Sequence, residues 1–247
     1  MILRRIIEHF RKQEWTAIVI DFVIVVMGVF VGMQVNDWNA ARQETAQMRL
    51  YVKRLRADFS GIRARIDEHI KVFDDTADGA DYLLSIIGAN SPYTDENKVD
   101  RARLEKAFAA LQSFRVPPPP AATYSEMVSE GQLSRLDSSA LRDALADYDR
   151  LLGVVQEVSR TVNALFVAQS PVLDRHIVGR TVADPHALSG IMEEVISYDL
   201  AGMRSDRDFA VAVTALRRGA LDSLAQRKLQ LRLIDKIDAL LNAEQPE

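Results

Sequence analysis

An apolar segment near the N-terminus constrains the fold of this chain more than any other part of its sequence. Residues 15–35 read WTAIVIDFVIVVMGVFVGMQV, and Asp21 is the only charged residue among them. A helix rises ~1.5 Å per residue, so this length is enough to cross a hydrocarbon core of ~30 Å. The Ile, Val and Phe side chains together favour insertion by about −4 to −7 kcal/mol, whereas a central Asp opposes it by about +3 kcal/mol. We therefore expect the segment to span a membrane.

Two other interpretations of this segment are weaker. A cleaved signal peptide normally has an apolar region of only ~7–15 residues, followed by a small-x-small cleavage site. Here the apolar region is longer and is followed by the residues NDWN, which make a poor cleavage site. A buried core helix of a soluble protein is the other alternative. We predict an uncleaved anchor at residues 15–38, with Trp15 and Trp38 at the two membrane interfaces.

The distribution of basic residues predicts the orientation of this anchor. Four of them precede the span and two follow it closely: Arg4, Arg5, Arg11 and Lys12 on the first side, Arg42 and Arg49 on the second. Because positive charge favours the cytoplasmic side, we place residues 1–14 in the cytoplasm and residues 39–247 outside it. Further basic residues from Lys53 onward reduce this bias.

Polar and small residues share one face of the predicted anchor. At 100° per residue, the face contains four residues within about 40° of one another: Asp21, Gly28, Gly32 and Asn39. The G-x-x-x-G spacing of the two glycines lets helix backbones approach closely in lipid. An intramembrane Asp usually faces protein, although hydration from the cytoplasmic side is an alternative. We predict a helix–helix interface on this face, with a second copy of the chain or with another membrane protein.

The remainder of the chain has the periodicity of an all-α protein. Apolar residues recur at three- and four-residue steps between Leu55 and Phe73, which is the pattern of an amphipathic helix. Further helices are predicted at 81–87, 100–114 and 188–200, and after Ser138 and Asp206. No strand pattern is evident. We predict an all-α fold in which one N-terminal transmembrane helix continues into a helical bundle domain.

Turn signals separate these helices in the middle of the chain. VPPPPAA at residues 116–122 cannot be helical at its prolines, and we predict a stiff connector there. Thr123 is a suitable N-cap for a short helix that ends near Gly131, and Tyr124 is expected to pack within it. We interpret Thr123, Tyr124 and Gly131 as a structural turn, with a binding turn as the alternative.

Two segments carry longer sequence patterns. GVFVGMQVNDWN at residues 28–39 contains G-x-x-x-G-x-Q-x-N-x-W-N, and TYSEMVSEGQLSRLDSSALRDALADY at residues 123–148 begins with T-Y-x-x-M-x-S-x-G-x-L. Both resemble a group of bacterial membrane-anchored proteins that is classed as a domain of unknown function. The resemblance implies a bacterial membrane protein and singles out Gln34, Asn36 and Trp38 at the membrane exit, but it implies no activity. With the predicted orientation, the location is the inner membrane, with a periplasmic C-terminal domain.

The sequence shows no catalytic, metal or cofactor motif. There is no cysteine, and no two of the four histidines have the helical spacing of a metal-binding pair. Asp174 with His176, and Asp184 with His186, are the nearest approach to a metal site, although a solvated loop fits them better. P-loop, nucleophile-elbow and dinucleotide-binding patterns are also missing. We therefore expect no cofactor, no metal and no catalytic residue.

Charge and architecture together suggest the class of function. The net charge is −4 with both signs spread along the chain, so no basic region predicts nucleic-acid binding. The expected partners are the lipid bilayer and either a second copy or another membrane protein. The leading hypothesis is a non-enzymatic interaction or scaffold protein of the bacterial cell envelope. The alternative is an extracytoplasmic ligand-binding or sensory module that acts through a partner protein, and a hydrolase is a third.

Overall fold

Helix dominates the structure, as the sequence predicts. The computed structural model describes four ranges of the chain: 2–89, 99–112, 116–183 and 191–243. The chain is 83% helical with little strand, which confirms a predominantly α-helical protein. It divides into two units, Met1–Val52 and Lys53–Glu247.

The first helix, α1, covers Ile2–Ile86 without interruption. The stretch predicted at 81–87 is therefore the last part of α1 and not a separate helix. As predicted, the helix ends before Gly88, whose φ of +75° lies in the left-handed region that glycine adopts without steric cost. The amide of Ala89 donates a hydrogen bond of 2.9 Å to the carbonyl of Leu84, which closes the helix end.

Five further α-helices, a short 3-10 helix at Leu133–Arg135 and one hairpin are described in the second unit. In chain order the α-helices and strands are α2 (Arg101–Leu111), α3 (Ala122–Ser129), α4 (Ser139–Leu173), β1 (Ile177–Ala183), β2 (Ile191–Tyr198), α5 (Leu200–Ser205) and α6 (Arg207–Ala243). The apolar stripe predicted between Leu55 and Phe73 is buried, as at Phe59 and Ile66. One core cluster joins α1, α2 and α6 through residues such as Leu83, Phe108 and Phe209.

Side-chain caps define where two of the helices begin. The Ser138 hydroxyl accepts a hydrogen bond of 3.0 Å from the amide of Leu141 at the start of α4. The Asp206 carboxylate accepts one of 2.9 Å from the amide of Asp208 at the start of α6. Both satisfy amides that have no partner within the helix. The helix starts predicted at Ser138 and Asp206 are thereby confirmed.

The hairpin corrects the prediction of a helix at 188–200. Residues 188–190 lie outside the described ranges, and Ile191–Tyr198 form β2, antiparallel to β1. The register of the pairing shifts between Val178 and Gly179. Arg180 of β1 donates a hydrogen bond of 2.8 Å to Glu194 of β2. The β-branched residues Ile191, Val195 and Ile196 favour a strand. This preference outweighs the three- and four-residue spacing of the apolar residues, which predicts a helix.

Ion pairs connect the last part of α1 with α6. Arg217 holds both carboxylate oxygens of Asp81, at 2.7 and 3.0 Å. Arg63 contacts two acids of α6, Asp235 at 2.5 Å and Asp238 at 3.0 Å. The bidentate contact between Arg217 and Asp81 fixes the orientation of both side chains. Partly exposed ion pairs such as these each add only about 0–1 kcal/mol to the free energy of unfolding.

Candidate functional site

An exposed apolar segment of α1 is the strongest candidate for a functional surface. Residues 19–35 are all exposed, and the exposure of the large apolar ones ranges from 46% at Val23 to 68% at Phe22. The most apolar window of the helix has a mean hydropathy of 2.0 and no buried residue. An exposed apolar surface of this extent marks contact with a membrane or with another protein. The segment predicted to be an anchor is thus long, apolar and uncovered within its own unit.

The predicted polar and small face lies within this segment. Asp21, Gly28, Gly32 and Asn39 are all exposed on α1. A Cβ atom added at Gly28 or at Gly32 would meet no other atom within 4 Å. The glycines therefore leave a groove on the helix surface that no described part of the chain fills.

The membrane-exit residues lie on the same helix, immediately after the apolar segment. Gln34, Asn36 and Trp38 are exposed, Trp38 at 67%. The guanidinium of Arg42 stands 5.7 Å from the centre of the Trp38 ring, a cation–π contact. An indole beside a cation suits the polar boundary of a bilayer, where tryptophan is enriched.

A second helix meets the length and composition criteria for a membrane span. This is α4, with a mean hydropathy of 1.2 and 11% of its window buried. Its first half packs into the core through buried residues such as Leu145, Tyr148 and Leu152. Its second half carries an exposed ion pair of 2.8 Å between Arg160 and Glu157. These features are those of an amphipathic bundle helix. Of the two helices, α1 is therefore the better candidate for a membrane span.

The turn predicted at residues 123–131 is described in full, and its N-cap assignment is wrong. Thr123 is the second residue of α3 and is only 1% exposed, so it does not precede the helix. Ala121, at the cap position, has no capping side chain. Instead, the carboxylate of Asp58 from α1 accepts a hydrogen bond of 2.8 Å from the Thr123 amide. A residue 65 positions away therefore caps α3.

The end of α3 agrees with its prediction. Gly131 has a φ of +68°, and the amide of Gln132 donates a hydrogen bond of 2.8 Å to the carbonyl of Met127. Tyr124 is half-buried and Met127 is fully buried. The preceding proline segment forms neither helix nor strand at residues 116–121, so the connector predicted at 116–122 ends one residue earlier.

Replacing Asp58 with alanine is expected to destabilise the chain by about 1 kcal/mol, the usual effect of removing a helix cap. The loss arises because the Thr123 amide, at a buried residue, keeps no acceptor. Chemical denaturation of the detergent-solubilised chain measures it. Asp67→Ala is a matched control, since Asp67 is exposed on the same helix and its loss should change stability by less than about 0.5 kcal/mol. Equal effects of the two substitutions would contradict a capping role.

His176 occupies a structural junction and not a solvated loop. Its side chain is 12% exposed and its Nε2 lies 2.8 Å from the Asp206 carboxylate that caps α6. The ring stands edge-on to Phe209 with centroids 5.5 Å apart. The hydrogen bond with His176 lowers the pKa of Asp206. The described residues contain no group of three His, Asp or Glu side chains that could hold a metal ion, and Asp184 and His186 lie outside them.

A buried arginine is the site that the sequence did not reveal. Arg227 of α6 is 1% exposed, and its Nη1 donates a hydrogen bond of 2.8 Å to the side chain of Gln230. Its Nε and the Nε2 of Gln230 have no partner among the described residues. Burial lowers the pKa of Arg227 to about 10 and raises that of neighbouring Tyr148 to about 12. The periodicity of α6 places position 227 on the core face. From sequence alone, however, an arginine at this position is expected to be exposed to solvent.

Comparisons of the chain with protein-family models, with curated proteins and with solved structures found no match. The candidate sites therefore depend on the geometry of this chain alone. The resemblance to a bacterial membrane-anchored group, carried by residues 28–39 and 123–148, stays a prediction.

Proposed function

We propose that this chain is a non-enzymatic interaction or scaffold protein of the bacterial cell envelope, held in the inner membrane by residues 15–38. Residues 1–14 then lie in the cytoplasm and residues 39–247 in the periplasm, because the basic residues are concentrated before the span. The observation that carries the proposal is the exposed apolar segment of α1, whose window has a mean hydropathy of 2.0 and no buried residue. Such a surface is stable only in an apolar environment, which a bilayer provides.

The same helix supports association as the task of the anchor. Gly28 and Gly32 leave a groove into which a second helix fits, and lipid chains fill such a groove less well than a helix does. Asp21 lies on the same face, where contact with protein or water avoids exposing its carboxylate to hydrocarbon. We propose a second copy of the chain as the partner, with another membrane protein as the alternative.

Polar contacts in the second unit support a structural role for that unit. Asp81 with Arg217 joins α1 to α6, and His176 joins the turn before β1 to Asp206 at the start of α6. These pairs connect elements to one another and thereby fix a shape. A fixed helical shape suits presentation of a binding surface to an envelope partner.

Replacing Gly28 and Gly32 with leucine is expected to reduce the oligomer to monomer in mild detergent. The added side chains fill the groove and keep a second backbone from approaching. Mass measured by light scattering, and crosslinking in intact membranes, report the change. Val26→Leu with Phe30→Leu is the matched control, because these exposed residues lie on the opposite face of α1. An oligomer mass unchanged by the glycine substitutions, or reduced equally by the control, would remove the anchor face from the proposal.

A further inference from the structure

The run of four prolines between α2 and α3 restricts its own backbone to one conformation. Each proline ring fixes φ near about −65°, and a residue that precedes a proline is kept out of the helical region, with ψ of about 120 to 160°. Val116 and the first three prolines all precede a proline. Ala121, at the end of the run, has a φ of −65° and a ψ of 114°. Residues 116–121 therefore adopt the polyproline II conformation, which has three residues per turn.

The burial of this segment repeats every three residues, as that conformation requires. One edge of the segment, with Pro118 and Ala121, is buried in the second unit. The other two edges carry the remaining four residues: Val116 and Pro119 on one, Pro117 and Pro120 on the other. Pro117 is half-buried and the other three are exposed, Val116 at 69%. The buried edge holds the segment in place and leaves two edges open to a partner.

The backbone of the segment offers hydrogen-bond acceptors and almost no donors. A proline has no amide N–H, and the polyproline II conformation has no internal hydrogen bonds. The carbonyls of residues 116–120 accept no hydrogen bond from a described residue. The Ala121 carbonyl, in contrast, accepts one of 3.1 Å from the Ser125 amide, which ties the segment to α3. Because the segment is already ordered, it loses little conformational entropy when a partner binds.

The spacing of the exposed residues determines the kind of partner. Val116-Pro117 and Pro119-Pro120 are two pairs in which an apolar residue precedes a proline. The second proline of each pair lies on the same edge, and three residues at ~3.1 Å separate the two by about 9 Å. SH3 and WW domains bind such segments in grooves lined by aromatic residues. The flat rings pack against proline, and a Trp N–H or Tyr hydroxyl can donate to the free carbonyls.

We propose that residues 116–121 are a docking segment for a protein domain with two neighbouring aromatic-lined grooves. Each groove holds one of the two pairs, while Pro118 stays packed against the bundle. The segment has no charged residue, so apolar contact and hydrogen bonds to its carbonyls provide the affinity. This contact goes beyond the proposed scaffold function and uses no part of the anchor, so its failure would leave the proposed self-association intact.

Binding of an isolated WW domain to the intact chain tests the proposal. The full chain in lipid nanodiscs is immobilised, a WW domain that binds uncharged proline runs is the probe, and empty nanodiscs are the reference. Pro117→Ala and Pro120→Ala each break one pair and should raise the Kd by about tenfold, as the loss of a principal contact does. Pro119→Ala is the matched control, since alanine still precedes Pro120 and both pairs remain. It should change the Kd by less than about threefold.

Thermal unfolding of the same variants separates an effect on binding from an effect on folding. Each substitution frees one φ angle in the unfolded chain, so all three should lower the Tm by a similar amount, about 1–4 °C. Weaker binding by Pro117→Ala and Pro120→Ala at a Tm equal to that of Pro119→Ala would support the docking segment. A wild-type chain that does not bind the WW domain would overturn it. Binding that the three substitutions weaken equally, or that none of them weakens, would also overturn it.

Discussion

Replacing Val25 and Val29 with aspartate is expected to release the chain from membranes. Both residues lie in the exposed apolar segment of α1, where every side chain would face lipid or a neighbouring helix. Two further aspartates cost about 5–7 kcal/mol on the insertion scale, which exceeds the net gain of about 1–4 kcal/mol left after Asp21 is counted. The fraction of protein that stays in the membrane pellet after an alkaline carbonate wash measures the loss.

The control for this experiment exchanges the same residues for leucine. Val25→Leu with Val29→Leu keeps the segment apolar and should leave the protein in the pellet. A periplasm-sensitive reporter fused after Glu247 tests the orientation in the same strains, and it should be active in the leucine variant and inactive in the aspartate variant. Full retention of the aspartate variant would show that α1 does not hold the chain in the membrane. Retention of the leucine variant with an inactive reporter would reverse the proposed orientation.

Replacing Arg227 with methionine is expected to stabilise the protein, although arginine is fully buried there. A lowering of the arginine pKa from 12.5 to about 10 corresponds to a cost of about 3 kcal/mol for keeping the charged form buried. Methionine removes that cost and has a similar length, but it leaves the Gln230 oxygen without its donor, which costs about 1 kcal/mol. The net gain should be about 1–2 kcal/mol, a rise in Tm of about 3–6 °C.

The pH dependence of this gain follows from the pKa of Arg227. Below about pH 10 the guanidinium is charged in the folded and the unfolded chain, so its full cost is present. Above about pH 10 the folded chain releases the proton before the unfolded chain does, so the wild type recovers stability relative to the variant. The difference between the two denaturation midpoints should therefore narrow as pH rises above about 10.

Arg217→Met provides the comparison for a paired arginine. The Arg217 side chain is 37% exposed and its guanidinium holds Asp81, so the substitution should lower stability by at most about 1 kcal/mol. If Arg227→Met destabilises the protein as much as Arg217→Met does, the polar contacts of Arg227 contribute more to stability than the burial of its charge costs.

The periodicity of the sequence was sufficient to predict most of the helical elements. The stripe between Leu55 and Phe73 is buried, and the helices after Ser138 and Asp206 begin where capping residues predict. These features are local, because a few neighbouring residues determine where a helix begins and which of its faces is apolar. The hairpin was missed because Ile191–Tyr198 fits both a helical spacing and a strand composition, and only its pairing with β1 distinguishes them.

The sites that were missed depend on contacts between distant parts of the chain. The cap of α3 comes from Asp58, which no pattern around Thr123 reveals. In sequence, Arg227 looks like any other charged residue of the amphipathic helix α6, and only the packing of the helices shows that it is buried. Sequence patterns predict elements well because elements are local, whereas buried polar sites arise from tertiary structure.

The cap on α3 has a consequence for the order in which this region acquires structure. Eight residues are too few for a helix to persist alone in water, where nucleation is unfavourable. Because Asp58 supplies the acceptor for its first turn, α3 gains a stable beginning only once α1 is formed and the chain between them has closed on itself. The amide proton of Thr123 should therefore exchange with solvent only when α3 separates from α1, in the same cooperative opening, and not by fraying of the helix end.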